Sequence, residues 1–116
     1  MSIFVRARFD AHDQRQGEFE KIALALARQA ANEPGTRTFR WFSAGTGSYV
    51  VLEEYDDEAA AVAHNERGAH LLARVPECAT MAYAEIHGPV GPRIREWAGS
   101  QSQVSLYPDF HGDDEV

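Results

Sequence analysis

The sequence has a single cysteine, Cys78. That excludes an internal disulfide and a metal centre built from several thiolates, and it leaves Cys78 to serve as a small buried apolar side chain or as a reactive thiol. Positive charge is also scarce. The formal net charge is −7 at pH 7 and the arginines and lysines are scattered, so the basic footprint of a nucleic-acid binder is missing. Part of the acidity lies at the end, in Asp109, Asp113, Asp114 and Glu115, where an acidic tail usually only solvates a chain end. No apolar run approaches the roughly 18 residues of a membrane span. No N-terminal stretch joins positive charge to an apolar segment, so no signal peptide is expected. These absences point to a cytoplasmic, reducing compartment with neither membrane nor nucleic acid as partner. Repeats, low-complexity segments and a Gly-rich cofactor loop are missing as well. The five histidines lack metal-ligand spacing: His64 and His70 stand six apart across Gly68, not at i, i+4 on one helix face. No metal and no cofactor is therefore expected.

What is present suits one domain with a core of its own: 116 residues of ordinary apolar and charged content. "SIFVRARF" alternates, with Ile3, Val5, Ala7 and Phe9 on one face and Phe4, Arg6 and Arg8 on the other, a period-2 strand. Asp13, with Gln16 three residues on, is positioned to cap a helix over 17–33, whose apolar stripe is Phe19, Ile22, Ala23, Leu26, Ala27 and Ala30. Pro34 and Gly35 end it. Two strands at 36–43 and 48–55 are joined by "AGTG", where Gly45 and Gly47 permit the positive φ of a hairpin loop. On the second of these, Tyr49, Val51, Glu53 and Tyr55 share a face, and Val50 and Leu52 are expected to turn the other way, toward the helices. Asp56 or Asp57 caps a second helix that Gly68 breaks, and "AHLLARV" adds a turn or two before Pro76. A last strand over 80–88 puts Ala82, Ala84 and Ile86 on one face and Met81, Tyr83, Glu85 and His87 on the other.

The order β-α-β-β-α-β predicts an α+β, ferredoxin-like fold: a four-stranded antiparallel sheet with both helices on one face. The opposite face would carry aromatics and arginines, which a monomer exposes at a cost. A second copy related by two-fold symmetry is the simplest cover, giving a homodimer with a barrel-like interior. Residues 1–90 make this domain. Residues 91–116 form a C-terminal extension, with a short helix at 92–98 and an extended "QVSLYP", expected to pack on the dimer across the subunit boundary, its acidic end loose from Gly112.

Three stretches carry a family resemblance: "RFDAHDQRQGEFEKIALAL", "NEPGTRTFRWF" and "YVVLEEYDDEAAAVAHNERGAH". A Glu-Pro-Gly turn enters a strand, a strand ends in Glu-x-Tyr, and acidic residues lead into an Ala-rich helix with a His. In that order the chain resembles the antibiotic biosynthesis monooxygenase domain family of the dimeric α+β barrel group, over residues 2–88. The resemblance implies a homodimer with a pocket in each subunit and oxidation of quinols, anthrones or related phenols by O₂ without metal or flavin. Some relatives bind and degrade haem instead. Their Asn–Trp–His set has no match here, since Asn65 adjoins His64 and the Trp is on another strand. A non-catalytic barrel that binds a small apolar ligand is the remaining alternative.

Such chemistry needs a dry aromatic pocket, a base near neutrality and a donor for developing oxyanion charge. His64 is the first candidate for the base, because imidazole titrates near neutrality and His64 matches the helix histidine of the family. Otherwise it is a plain helix histidine, exposed or half-buried. His70 is second, or a surface residue past Gly68. Glu53 and Tyr55 either position a proton or the substrate hydroxyl, or form a buried polar pair satisfied by itself. Trp41 stacks on substrate or donates through its indole N–H, unless it is core or interface. Tyr83 and His87 share a face and are expected to reach the same interior. Arg6, Arg8 and Arg40 read as ion-pair partners at the surface or interface.

Overall fold

In a computed structural model, which describes residues 1–110, ten elements follow in order. They are β1 (Ile3–Ala11), α1 (Gln16–Ala30), β2 (Thr36–Ser43), β3 (Ser48–Tyr55), α2 (Glu58–Arg67), α3 (Ala69–Leu72), α4 (Val75–Cys78), β4 (Ala79–His87), α5 (Pro92–Gly99) and β5 (Val104–Tyr107). The sheet runs β2-β3-β1-β4-β5. The first four strands pair antiparallel in the ferredoxin-like order, and β5 adds a fifth, parallel to β4. The expected four-stranded sheet is thus five-stranded.

The helices form where the apolar stripes lie. α1 buries Phe19, Ile22, Ala23, Leu26 and Ala30, spaced to fall on one side. It starts later than a cap at Asp13 would have it. Arg15 is the N-cap, its side chain makes no capping bond, and it pairs with Glu18 instead at 2.6 Å. The helix also stops at Ala30, three residues short of 33, because the chain turns there before Pro34: Glu33 N–H bonds Ala30 O at 3.1 Å. α2 is capped by Asp57, whose side chain accepts from Ala60 N–H at 2.9 Å, and Gly68 ends it. The 44–47 loop turns through Gly45 at φ 111° and Gly47 at φ 74°, the left-handed values a hairpin needs.

Register decides which side chains meet. Val51, Glu53 and Tyr55 of β3 lie opposite Ala7, Val5 and Ile3 of β1, and that is the helix-covered face. Val50 and Leu52, expected toward the helices, lie opposite Arg8 and Arg6 on the open face. The reason is side-chain alternation: a strand whose Val51 and Tyr55 are buried must turn Leu52 outward, where it is exposed. A second shift occurs in β4. A bulge between Arg8 and Phe9 leaves Ala82 unpaired and sets Met81 opposite Phe9, so Met81 joins the helix-side core and Ala82 is exposed. Tyr83, Glu85 and His87 stay on the open face, opposite Arg8, Arg6 and Phe4.

The core has two main parts. One packs α1 and α4 against Phe9, Phe39, Trp41 and Tyr49, and takes in Cys78, which is fully buried. The other packs α2 and α5 against Ile3, Tyr55 and Ile86. The extension, expected on the dimer, lies along the edge of its own chain's sheet: Ala84 N–H bonds Gln103 O at 3.1 Å and Gly88 N–H bonds Tyr107 O at 2.9 Å. The end from Gly112 lies outside the described residues. Among the described residues no helix is long and apolar enough to cross a membrane.

Candidate functional site

Two cavities meet between the sheet and the helices. The larger, about 390 Å³, is lined by Val5, Phe9, Tyr55, Ala84 and Ile86 from the strands, Ala61 and Asn65 from α2, Leu72 from α3, and Ile94 and Trp97 from α5. Such a volume suits a small organic ligand. The smaller, about 50 Å³, is lined by Phe19, Phe39, Trp41 and His64 among others. Phe9, Glu53, Asn65 and Leu72 border both. Glu53 is therefore the ionisable group at the junction.

Glu53 is half-buried, on the helix-covered face of the sheet, and borders the cavity. Burial raises its pKa, while a hydrogen bond from the Tyr55 hydroxyl and the nearby His64 work the other way. The same burial, with the Glu53 carboxylate beside it, pushes Tyr55 far above an ordinary phenol, so Tyr55 stays a donor. Glu53 is thus a carboxyl held above its ordinary pKa by burial in a largely apolar chamber, the direction in which burial makes a carboxyl a better proton acceptor.

His64 is more deeply set than a plain helix histidine. It is 2 % exposed, with its ring 5.0 Å from that of Phe39 and 5.5 Å from that of Tyr55. Its Nδ1 lies 2.8 Å from Glu33 Oε1. Glu33 also accepts from Thr36 Oγ1 at 2.7 Å and from Gln29 Nε2 at 2.7 Å. Burial disfavours the Glu33 charge, but these hydrogen bonds outweigh it and hold the carboxyl below its usual value. An ionised carboxylate can only accept, so His64 Nδ1 carries the proton that it donates to Glu33.

The sequence candidates therefore separate. Glu53, Tyr55, His64 and Trp41 come together on the helix side. Tyr83 and His87 lie on the other face of the sheet, with His87 stacked on Tyr107 at 4.9 Å, and His70 is exposed on α3 away from both cavities. Arg6 pairs with Glu85 and Arg8 with Asp10, as surface ion pairs do, and Arg40 lies over the Phe42 ring. Trp41 Nε1 is buried without a hydrogen-bond partner among the described residues, an arrangement that costs free energy unless something in the adjoining cavity accepts from it. No group of three or more His, Cys, Asp or Glu among the described residues is placed to hold a metal.

Sequence reasoning missed Glu33 and Trp97. For Glu33 a signal existed. An acidic residue at the C-terminal end of a helix opposes the macrodipole, and it is kept there only if a donor awaits it. Trp97 had no local signal, since nothing in its own segment says which strands it will face.

Comparison with known proteins agrees with this architecture. The family model described as Antibiotic biosynthesis monooxygenase matches residues 2–75. No curated protein matches the chain in sequence. Among solved structures, MupZ from Pseudomonas fluorescens superposes with TM-score 0.76 at 16% identity, covering 96% of this chain and 87% of that one. Rv0793 from Mycobacterium tuberculosis gives 0.70 at 23%, covering 79% and 98%. SnoaB, a cofactor-independent oxygenase from Streptomyces nogalater, gives 0.64 at 18%, covering 73% and 89%. Identities this low establish a shared fold, while the family model spans well over half of the chain, and on that match the chain belongs to the antibiotic biosynthesis monooxygenase family.

Proposed function

We propose that the protein is a cofactor-independent monooxygenase that oxidises a small hydroxylated aromatic with O₂ in the helix-side cavity of each subunit of a homodimer. The observation that carries this reading is the Glu53 carboxyl, raised by burial and bordering an aromatic-lined chamber of about 390 Å³. SnoaB, of the same fold, is described as a cofactor-independent oxygenase. None of the described residues lining the chamber is Lys or Arg, so an uncharged ligand fits it better than a carboxylate or a haem with its propionates.

In this reading Glu53 takes the proton of the substrate and Tyr55 holds the carboxyl in place. His64, fixed by Glu33, lies behind Glu53 in the smaller cavity and supports its charge. The deprotonated ring is electron-rich enough to pass one electron to O₂, and the two radicals join to a peroxide on carbon. For an anthrone, the methylene carbon loses two hydrogens and gains one oxygen atom, and the other oxygen leaves as water. Trp41 Nε1–H, in the adjoining smaller cavity, is the unengaged donor that a developing oxyanion would meet where the two cavities join. The apolar walls keep water from the intermediates.

The test is oxygen uptake with a panel of anthrones and naphthoquinols, in the presence of a chelator. Uptake of one O₂ per anthrone, with quinone appearing in the absorbance spectrum, is expected. Glu53→Gln should slow it by roughly 10² to 10⁴. Uptake no faster than in buffer across the panel, or an unchanged rate in Glu53→Gln, would refute the assignment.

A further inference from the structure

α5 lies outside residues 2–75, the part of the chain that matches the family, yet it lends Ile94 and Trp97 to the larger cavity. Ile94 is buried against Ile3, Tyr55, Ala61 and Ile86. Trp97 lines the cavity but remains 44 % exposed. A large ring left partly in water at the rim of an apolar chamber gains by being covered.

The helix that carries it is held at both ends. At its start, Ile94 N–H donates to Glu58 Oε2 at 2.9 Å. Gly91 makes room for that carboxylate, because a Cβ there would stand 2.5 Å from Glu58 Oε1. Beyond its end, β5 is bonded along β4. α5 is therefore a fixed wall of the chamber, and it carries Trp97 at the rim.

We propose that α5 is part of the ligand site and that Trp97 is a specificity-determining residue. Its indole stacks on the flat ring of an uncharged hydroxyaromatic whose hydroxyl meets Glu53. The choice of ligand rests on the oxygenase reading above; the role of the wall does not need turnover. The apolar side chains across the chamber, Phe9, Leu72 and Ile86 among them, leave the ligand's hydroxyl few polar partners: the Glu53 carboxyl, the Tyr55 hydroxyl that donates to it, and the Asn65 amide. Trp97 adds a preference for planarity that aliphatic walls cannot give.

Anaerobic calorimetric titration of the full chain with 2-naphthol and with its saturated counterpart, decahydro-2-naphthol, tests this. The parent should prefer 2-naphthol. Trp97→Leu should weaken 2-naphthol roughly threefold to tenfold, the worth of an aromatic pair, and leave the saturated alcohol nearly unchanged. That unchanged affinity also shows the cavity still folds. Trp97→Phe should keep most of the preference. The proposal is overturned if the parent shows no preference, if Trp97→Leu binds both ligands as the parent does, or if it loses both equally. Because oxygen is absent, a failure to oxidise any substrate would leave this result standing, and a normal oxidation rate would not rescue it.

Discussion

The two faces of the sheet are built from alternate residues of the same strands, and they treat polar groups in opposite ways. On the helix side the charges are few and each meets a partner inside the chain: Glu33 with His64, Thr36 and Gln29, and Glu53 with Tyr55. On the open side Arg6, Arg8 and Arg40 pair with neighbours at the surface, beside Phe4, Phe42 and Leu52, which stand exposed. Burial raises a carboxyl's pKa and exposure does not, so the closed face, where Glu53 is raised, is the one fitted for base chemistry. The open face has the apolar surface that an interface requires. Phe39 and Trp41 point to the first and Phe42 to the second, so the aromatic strand β2 serves both.

The largest expected effect falls on the closed face. Glu33→Ala leaves the buried His64 and the half-buried Thr36 and Gln29 without their shared acceptor, and breaking a buried pair costs about 3–5 kcal/mol. Urea melts at pH 7 would read it. Because the folded-state pKa of Glu33 is depressed, its contribution is complete above the unfolded value of 4.5 and is lost as pH falls through the folded value. The gap between parent and variant should therefore close in acid. A variant as stable as the parent at pH 7 would mean that the network is ornamental to the fold.

On the open face, Leu52→Glu should leave the melting of the subunit nearly unchanged but weaken the proposed dimer by on the order of 2 kcal/mol, the threshold of an interface hot spot. Sedimentation equilibrium distinguishes the two. A parent that is monomeric at micromolar concentration, or a variant that dimerises as tightly, would remove the partner from the account.

The smallest effect has the opposite sign. Glu53 has a raised folded-state pKa, so its ionised form destabilises the fold. The penalty is absent below the unfolded value of 4.5 and full above the folded one. Glu53→Gln should then be more stable than the parent at pH 8, by on the order of 1 kcal/mol, and no more stable at pH 4. A loss of stability at pH 8 would show that Glu53 is a structural group like Glu33.

Much of the fold was legible because it follows from alternation and punctuation. β2 and β3 end where the turn glycines and the Asp cap put them, and the α1 stripe is the one that packs. What was not legible depended on count and direction. One bulged residue, Ala82, moved Met81 to the other face, and no pattern in "TMAYAEIH" announces it. The period-2 rule grouped Val50 with Leu52 correctly but could not say which group faces the helices, because both are apolar enough. Of the candidate site, Glu53, Tyr55, His64 and Trp41 were readable as residue types in suggestive places. That they converge, while Tyr83 and His87 do not, is a fact of register. Trp97 reaches the cavity through a chain path that leaves the sheet and returns to it, beyond the reach of local pattern.

The central claim is that the ligand enters the helix-side face and presents its hydroxyl to Glu53. A crystal structure of the protein grown without oxygen in the presence of 2-naphthol addresses it directly. The account predicts the naphthol ring between the sheet and α5, with its oxygen within hydrogen-bond distance of a Glu53 carboxyl oxygen. A naphthol seated on the open face beside Tyr83 and His87, or one in the cavity with its hydroxyl turned away from Glu53, would contradict it.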